Sequence, residues 1–382
     1  MLTDEELAEA LALIDDRYQR VVEMYLKKVG ATIKKIGHLN QSSINLLVQL
    51  QRMGVDVNQI TRSLQRVTQL TKKDIRDLYL RAAAEEFTDA RFAYIANGLN
   101  PSDTQWEPLV EAIWRQTSAT MDNISLTTAI AEPYRELVSD AILAVSMGTT
   151  DYNSAIRNAI KRTGSAGLQV KYESGYHRRL DTAIRQNILD GVRQVQQQAQ
   201  EMIGEEIGAD GVDITAHPNS APDHEPVQGR RFDKANFEKM QNGEDFDDVD
   251  GNHYSGFDRP ITQWRCRHLV HYILLGISRR MYTDAQLKKW KEKNQKGCEI
   301  DGKHYTNYEA TQLMRKLETE IRRQKDTAIL AKASGDDVLR RKCQSEINDF
   351  VKKYKEVAEK AGLKARMDKT YVEGFKPIED TD

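Results

Sequence analysis

Apolar residues recur every three or four positions along most of this chain, and one stretch alone breaks that rhythm. Leu7, Leu11, Ile14, Tyr18, Val21, Val22, Tyr25 and Val29 form the first stripe. That period belongs to a helix with a single buried face. Thr3, with Glu6 three residues on, supplies a capping-box start. Gly30, Gly37 and His38-Leu39-Asn40 are expected interruptions. Ile44, Leu47, Val48 and Met53 resume the pattern up to Gly54, and Ile60, Leu64, Val67 and Leu70 continue it. Thr71 is placed as the cap of a further helix carrying Ile75, Leu78, Tyr79, Ala82 and Phe87. After the punctuation of Asn97-Gly98-Leu99-Asn100-Pro101, helical spacing returns at Trp106, Leu109, Ile113 and Trp114. Pro133 opens a helix expected to close near Gly148, and a shorter one over 152–162 ends at Gly164. A long helix is expected over about 168–204, with Leu180, Ile184, Ile188 and Val192 spaced four apart.

The exception is 207–280. Gly211-Val212-Asp213-Ile214-Thr215-Ala216 alternates as a short strand does. Residues 217–263 are rich in Gly, Pro, Asp and Asn and read as turns with short strands, and 269–277 is apolar enough to be buried. Past Tyr282 helical spacing returns. Leu313, Leu317 and Ile321 form a narrow stripe, Ser334-Gly335-Asp336-Asp337 breaks it, and Leu339, Ile347, Phe350, Val351 and Tyr354 form another. Two helices joined by so short a turn lie antiparallel, with arms about 45 Å long if each has about 30 residues. The fold class is therefore mainly α. A helical N-terminal region (1–150) and connecting helices (151–206) lead to a small mixed α/β motif domain rich in turns (207–280), then to a C-terminal antiparallel helical hairpin and tail (281–382).

Charge argues against one class of function. With 56 basic and 58 acidic residues the formal net charge is −2, whereas proteins that bind duplex DNA by counterion release carry a basic excess. A local basic patch remains compatible with contact to DNA. Cys266, Cys298 and Cys343 are the whole cysteine complement, an odd and widely spaced set that forms no disulfide framework and suits a reducing cytoplasm. The start, MLTDEELAEAL, is acidic where a secretory signal is basic. No run reaches the length of apolar sequence that a membrane span needs, so no membrane partner is expected.

Chemistry concentrates in the exceptional stretch. Of eight histidines, five (His217, His224, His253, His268 and His271) fall there, with Cys266 among them. His217, His224, Cys266 and His268 together offer the imidazole and thiolate donors that suit a structural zinc. The spacing lacks a paired Cys-x-x-Cys, so a second reading stays open. In that reading His217, Asp223, His224 and the arginines of 264–268 brace a knot of turns by hydrogen bonds. A catalytic Cys266–His268 pair is disfavoured, because neighbours two apart on a strand share a face without having to touch. Asn252-His253 has residue types found in metal-dependent nucleases, without a second metal carboxylate or a phosphate loop. The acidic run 243–248 departs from the calcium-loop pattern and is expected to be a solvated loop.

These segments resemble the phage minor capsid protein 2 family, itself related to Mu F-like head morphogenesis proteins. The resemblance rests on YHRRLDTAIRQNILDGVRQVQQQAQ (176–200) leading into Asp213-Ile214-Thr215-Ala216-His217. It rests further on the loop carrying Pro222, Asp223, His224, Gln228, Gly229 and Phe232, and on Cys266-Arg267-His268 followed by Tyr282-Thr283. Tyr305-Thr306, Tyr308 to Gln312, Arg315, Leu317-Glu318, Ile321-Arg322 and Gly362-Leu363 extend it to about 150–375. The sequence departs at Ala221, Val227 and Arg265, where many members carry Arg, Trp and Asn. The structural motif that the resemblance implies is His217, Asp223, His224, Gln228, Gly229, Cys266, Arg267 and His268, with no catalytic residue. The implied role is a non-enzymatic minor head protein of a tailed bacteriophage, present in multiple copies inside the capsid near the portal vertex. It would be made in the host cytoplasm and would contact the portal protein, other head proteins and packaged DNA during head assembly or DNA delivery, with the portal contact expected in residues 1–150 and Tyr79, Tyr94, Trp106 and Trp114 as its anchors. The alternative is a metal-dependent nuclease or hydrolase built on the 217–268 His/Cys cluster.

Overall fold

The protein is described here by a computed structural model over residues 4–36, 57–96, 98, 105–129, 152–172, 174–262 and 266–378. The stripe Ile44 to Met53, the helix after Pro133 and most of the punctuation at 97–101 lie outside the described residues. The architecture is mainly helical with small antiparallel sheets. The long helices are α1 (Asp4–Ile36), α2 (Val57–Asp89), α4 (Glu107–Thr127), α5 (Tyr152–Ala166) and α6 (Leu180–Glu206), with the short α3 (Arg91–Ala96) after α2. The chain divides into two compact units. One holds 1–8, 73–118 and 187–311, the other 9–72, 119–186 and 312–382.

The second unit shows why some expected breaks are absent. Leu11, Ile14, Tyr18, Val21, Val22, Tyr25, Leu26 and Val29 are buried along one face of α1, as their spacing requires. Gly30 does not end that helix. A Cβ there would lie 2.4 Å from the Cβ of Ala333, so glycine is present for close helix approach. Thr71 likewise lies within α2, its Oγ1 returned to the Val67 carbonyl at 2.8 Å. Gly164 lies within α5 for the same reason as Gly30, against the Cα of Thr327 at 2.5 Å from an added Cβ. Residues 168–179 are not the start of a long helix. They form a hairpin of β2 (Gln169–Lys171) and β3 (His177–Arg179), with β1 (Thr128–Ala129) on the other edge of β2. Helix α6 begins only at Leu180.

In this unit a cluster of opposite charges is buried. Arg179 Nε lies 3.3 Å from Asp181 Oδ1, and Arg179 Nη1 bonds Asp326. Arg322 Nη1 reaches Asp181 Oδ2 at 3.2 Å. The C-terminal pair is α9 (Asn307–Ser334) and α10 (Asp337–Lys360), joined at Gly335, whose φ of 82° only glycine adopts at little cost. Tyr354 of α10 donates to Glu318 of α9 at 2.9 Å, linking the end of one helix to the first half of the other. Of the residues expected at the seam, Leu317, Ile321 and Ile347 are buried and Phe350 is half-buried. Leu317→Asp is expected to cost about 2 kcal/mol, the burial of one leucine. Limited proteolysis should then cut faster within 312–360, and an unchanged digestion pattern would remove Leu317 from the seam.

In the first unit, β4 (Gly211–Ile214) is the centre of a three-stranded antiparallel sheet between β5 (Arg231–Asp233) and β8 (Val270–Ile273), and β6 (Phe246–Asp247) pairs with β7 (His253–Tyr254) in a separate two-stranded sheet. Val212 pairs with Phe232 on one side and Tyr272 on the other. Helix α7 (Lys234–Gln241) follows β5 directly, capped by Asp233, whose side chain accepts from Asn236 N. The core beneath is Val212, Ile214, Val227, Phe232, Met240, Phe246, Ile261 and Val270. Tyr79, buried in this unit, meets Thr117 Oγ1 at 3.0 Å, and Gly191 leaves it room. Helix α8 (Asp284–Lys296) has a capping box of Thr283 and Gln286. A hairpin absent from the sequence reading follows, β9 (Cys298–Ile300) with β10 (Lys303–Tyr305). Asp301 and Gly302 both have positive φ, 51° and 75°, as a two-residue hairpin turn needs. Among the described residues no helix is long and apolar enough to cross a membrane.

Candidate functional site

Residues 217–230 are held in a run of tight turns. Pro218, Pro222 and Pro226 supply no N–H, so the segment cannot complete a regular ladder. The bonds that form are local: Glu225 N to the Ala221 carbonyl at 2.9 Å, and Gln228 N to the His224 carbonyl at 3.2 Å. Gly229, at φ 69°, returns the chain to the sheet through its N–H to the Ile214 carbonyl at 2.8 Å. The segment 266–268 arrives from the other side, leading into β8, where Leu269 N donates to Thr215 Oγ1 at 2.8 Å.

Three of the expected donors converge. His224, Cys266 and His268 are 0%, 2% and 2% exposed. Each offers a ligand atom within 4.8 Å of the others. Cys266 Sγ lies 3.4 Å from His224 Nδ1 and 3.2 Å from His268 Nδ1, and it accepts the His268 backbone N–H at 3.4 Å. His217 is beside the cluster. Its ring stacks on His268 with centroids 4.6 Å apart, and its Nδ1 is 3.2 Å from the Pro218 carbonyl.

The far ring nitrogens define which tautomer each histidine holds. His224 Nε2 is 2.7 Å from the Arg259 carbonyl, which can only accept, so the proton sits on Nε2. Gln228 Oε1 takes the His217 backbone N–H at 3.0 Å, which fixes that amide's orientation. The same oxygen lies 3.4 Å from His268 Nε2, as does Ser220 Oγ, so His268 also carries its proton on Nε2. Burial pushes His268 down to about 3, helped by the nearby His217 and His224, and burial pushes His224 below its ordinary range. The Cys266 thiol is pushed up, again by burial. Protein chemistry alone therefore leaves two neutral imidazoles and a thiol.

Asp223 and Gln228 serve as braces. Asp223 receives Arg259 in a fork, Nε to Oδ2 and Nη2 to Oδ1, both at 2.8 Å. Burial acts to raise the Asp223 carboxyl, but the Arg259 bonds outweigh it and hold the group below its usual range. Arg267 is exposed, and Arg265 lies outside the described residues. Arg259, Ser220 and Thr262 were missed in the sequence. Arg259 stands 35 residues from the histidine it holds, a separation that carries no local pattern. Thr262 keeps φ at 71°, an uncommon conformation for a β-branched residue, close before Cys266. Val227, one of the departures noted from the resembling family, is 1% exposed and belongs to the core beneath the turns.

The acidic run is less uniform than expected. Asp248 is buried and accepts from Asn252 N, Asn252 Nδ2 and Tyr254 Oη at 2.8 to 2.9 Å, so it shapes a turn. His253 is exposed and meets Asp247 at 2.8 Å, away from the buried cluster.

The family model described as phage minor capsid protein 2 matches residues 2–358 of the chain. No curated protein and no solved structure matches it.

Proposed function

Since the chain belongs to the phage minor capsid protein 2 family, and is a structural protein of the phage head, we propose that it acts at the inner, portal-side face of that head without catalysing a reaction. The observation that carries this reading is the extent of the family match, which takes in both compact units. The portal protein is the proposed main partner, other head proteins are further ones, and the protein assists head assembly or DNA delivery. Helix α8 offers a surface for packaged DNA, since Lys288, Lys289, Lys291, Lys293 and Lys296 are exposed there against Asp284 and Glu292.

The portal contact was expected in residues 1–150, with Tyr79, Tyr94, Trp106 and Trp114 as anchors. Tyr79 and Tyr94 are core residues, 0% and 1% exposed, and Trp106 stacks on Phe87 at 6.1 Å. Residues 1–150 also contribute to both compact units. A fragment cut at 150 therefore carries neither unit complete, and the full chain is the proper probe. Co-expressed with portal protein or with major capsid protein, the full chain is expected to co-purify with portal assemblies. Capture by the major capsid protein alone would overturn the portal-side placement and leave the family membership intact.

The competing reading is a nuclease or hydrolase centred on the His/Cys cluster. Its three donors are at most 2% exposed. A catalytic centre needs a position that a substrate can reach, so this burial favours a structural role.

A further inference from the structure

We propose that His224 Nδ1, Cys266 Sγ and His268 Nδ1 bind a zinc ion that clips the 217–230 turns to the strand beginning at Val270. Both histidines spend their single N–H on Nε2, toward the Arg259 carbonyl and toward Gln228 Oε1. Two Nδ1 lone pairs then face one sulfur, at 3.4 and 3.2 Å. One thiol has one proton and can satisfy only one of them. A cation at the point where the three donors converge satisfies all three.

The distances agree with that occupant. Bond lengths of about 2.3 Å to sulfur and about 2.05 Å to nitrogen, at a tetrahedral angle, separate S and N by about 3.6 Å. The two observed separations fall a few tenths of an ångström short of this. The supporting bonds agree as well. Histidine ligands commonly donate their distal N–H to a carbonyl or a side-chain oxygen, and both histidines do so here. The Cys266 sulfur accepts a backbone N–H from His268, which suits an anionic thiolate.

Mixed imidazole and thiolate donors select zinc over magnesium or calcium. Binding converts Cys266 to its thiolate and releases one proton to solvent, while both imidazoles stay neutral. His217 stays outside the set, since its ring lies flat on His268. Arg259 Nη2 competes for His224 Nδ1 at 3.4 Å with the N–H that its 2.8 Å bond to Asp223 leaves over, so the convergence of three donor atoms within 4.8 Å, rather than the proton count alone, carries the site.

The test uses the full chain, purified from zinc-supplemented cells without chelators. Elemental analysis should find about one zinc per chain. Cys266→Ser and His268→Ala should lose it, whereas Cys298→Ser and His217→Ala should keep it. Wild-type protein stripped of metal and titrated with Co2+ should develop a sulfur-to-cobalt charge-transfer band, a readout that holds even if the variants fold poorly. Helical, soluble wild-type protein with no zinc and no such band would overturn the proposal and leave the Arg259-braced hydrogen-bond knot. Loss of metal in His217→Ala as complete as in His268→Ala would overturn the three-donor assignment.

Discussion

Arg179→Met should destabilise the protein by about 3–5 kcal/mol, the range for removing one partner of a buried ion cluster. Arg179 is 9% exposed, and it stands between Asp181 and Asp326, which are 3% and 0% exposed. The two aspartates are unequal. Burial acts to raise both. For Asp181 the Arg179 and Arg322 guanidinium groups and the Thr182 N–H outweigh it and hold the carboxyl well below its usual range. For Asp326 burial wins and the carboxyl is raised, and its Oδ1 has no hydrogen-bond partner among the described residues.

Asp326→Asn removes a charge that burial disfavours while keeping an acceptor for Arg179, so its cost should be smaller, about 1 kcal/mol. The pH dependence follows from the depressed Asp181. Its stabilising contribution is complete above the unfolded carboxyl range near about 4 and is lost as the pH falls below it. Chemical denaturation at pH 7 and pH 3 should therefore show the Arg179→Met penalty shrinking in acid. A penalty below that of Asp326→Asn at pH 7 would refute the assigned hierarchy.

Phe232→Ala should cost a similar amount, about 3–5 kcal/mol, by opening a cavity in the sheet core. Phe232 is fully buried, edge-on to Phe246 at 5.6 Å and to Tyr254 at 6.2 Å, and it pairs with Val212 across the strands. The same core supports Val227 beneath the turns that carry His224. Hydrogen exchange is the suitable measurement. Amides of 211–214 and 270–273 should lose protection in the variant, and full protection there would mean that the ring is not what holds the sheet.

The helices were legible because a buried face leaves its period in the sequence, as the stripe from Leu11 to Val29 does. Their boundaries were less so. Gly30 and Gly164 read as breaks, yet both are required by neighbours distant in sequence, and local pattern cannot report such a neighbour. Thr71 read as a cap, although its hydroxyl can bond back along its own helix. The hairpin over 169–179 was hidden by being short and polar at its turn. The one at 298–305 carried a readable signal, Asp301-Gly302, which the surrounding charge obscured. In the site, residue type alone singled out His224, Cys266 and His268. Their bracing by Arg259 and Ser220 depends on three-dimensional proximity.

The close helix approaches have a consequence during synthesis. Gly30 meets Ala333, Gly164 meets Thr327, and Glu373 N donates to Gln19 Oε1 at 2.9 Å. A ribosome reaches residue 333 about 300 residues after making Gly30, a delay of roughly 15–60 s at about 5–20 residues per second. Throughout that interval the face of α1 that receives the C-terminal pair has emerged without it. The nascent chain must therefore keep that face of α1 open for its late partner until translation is nearly finished.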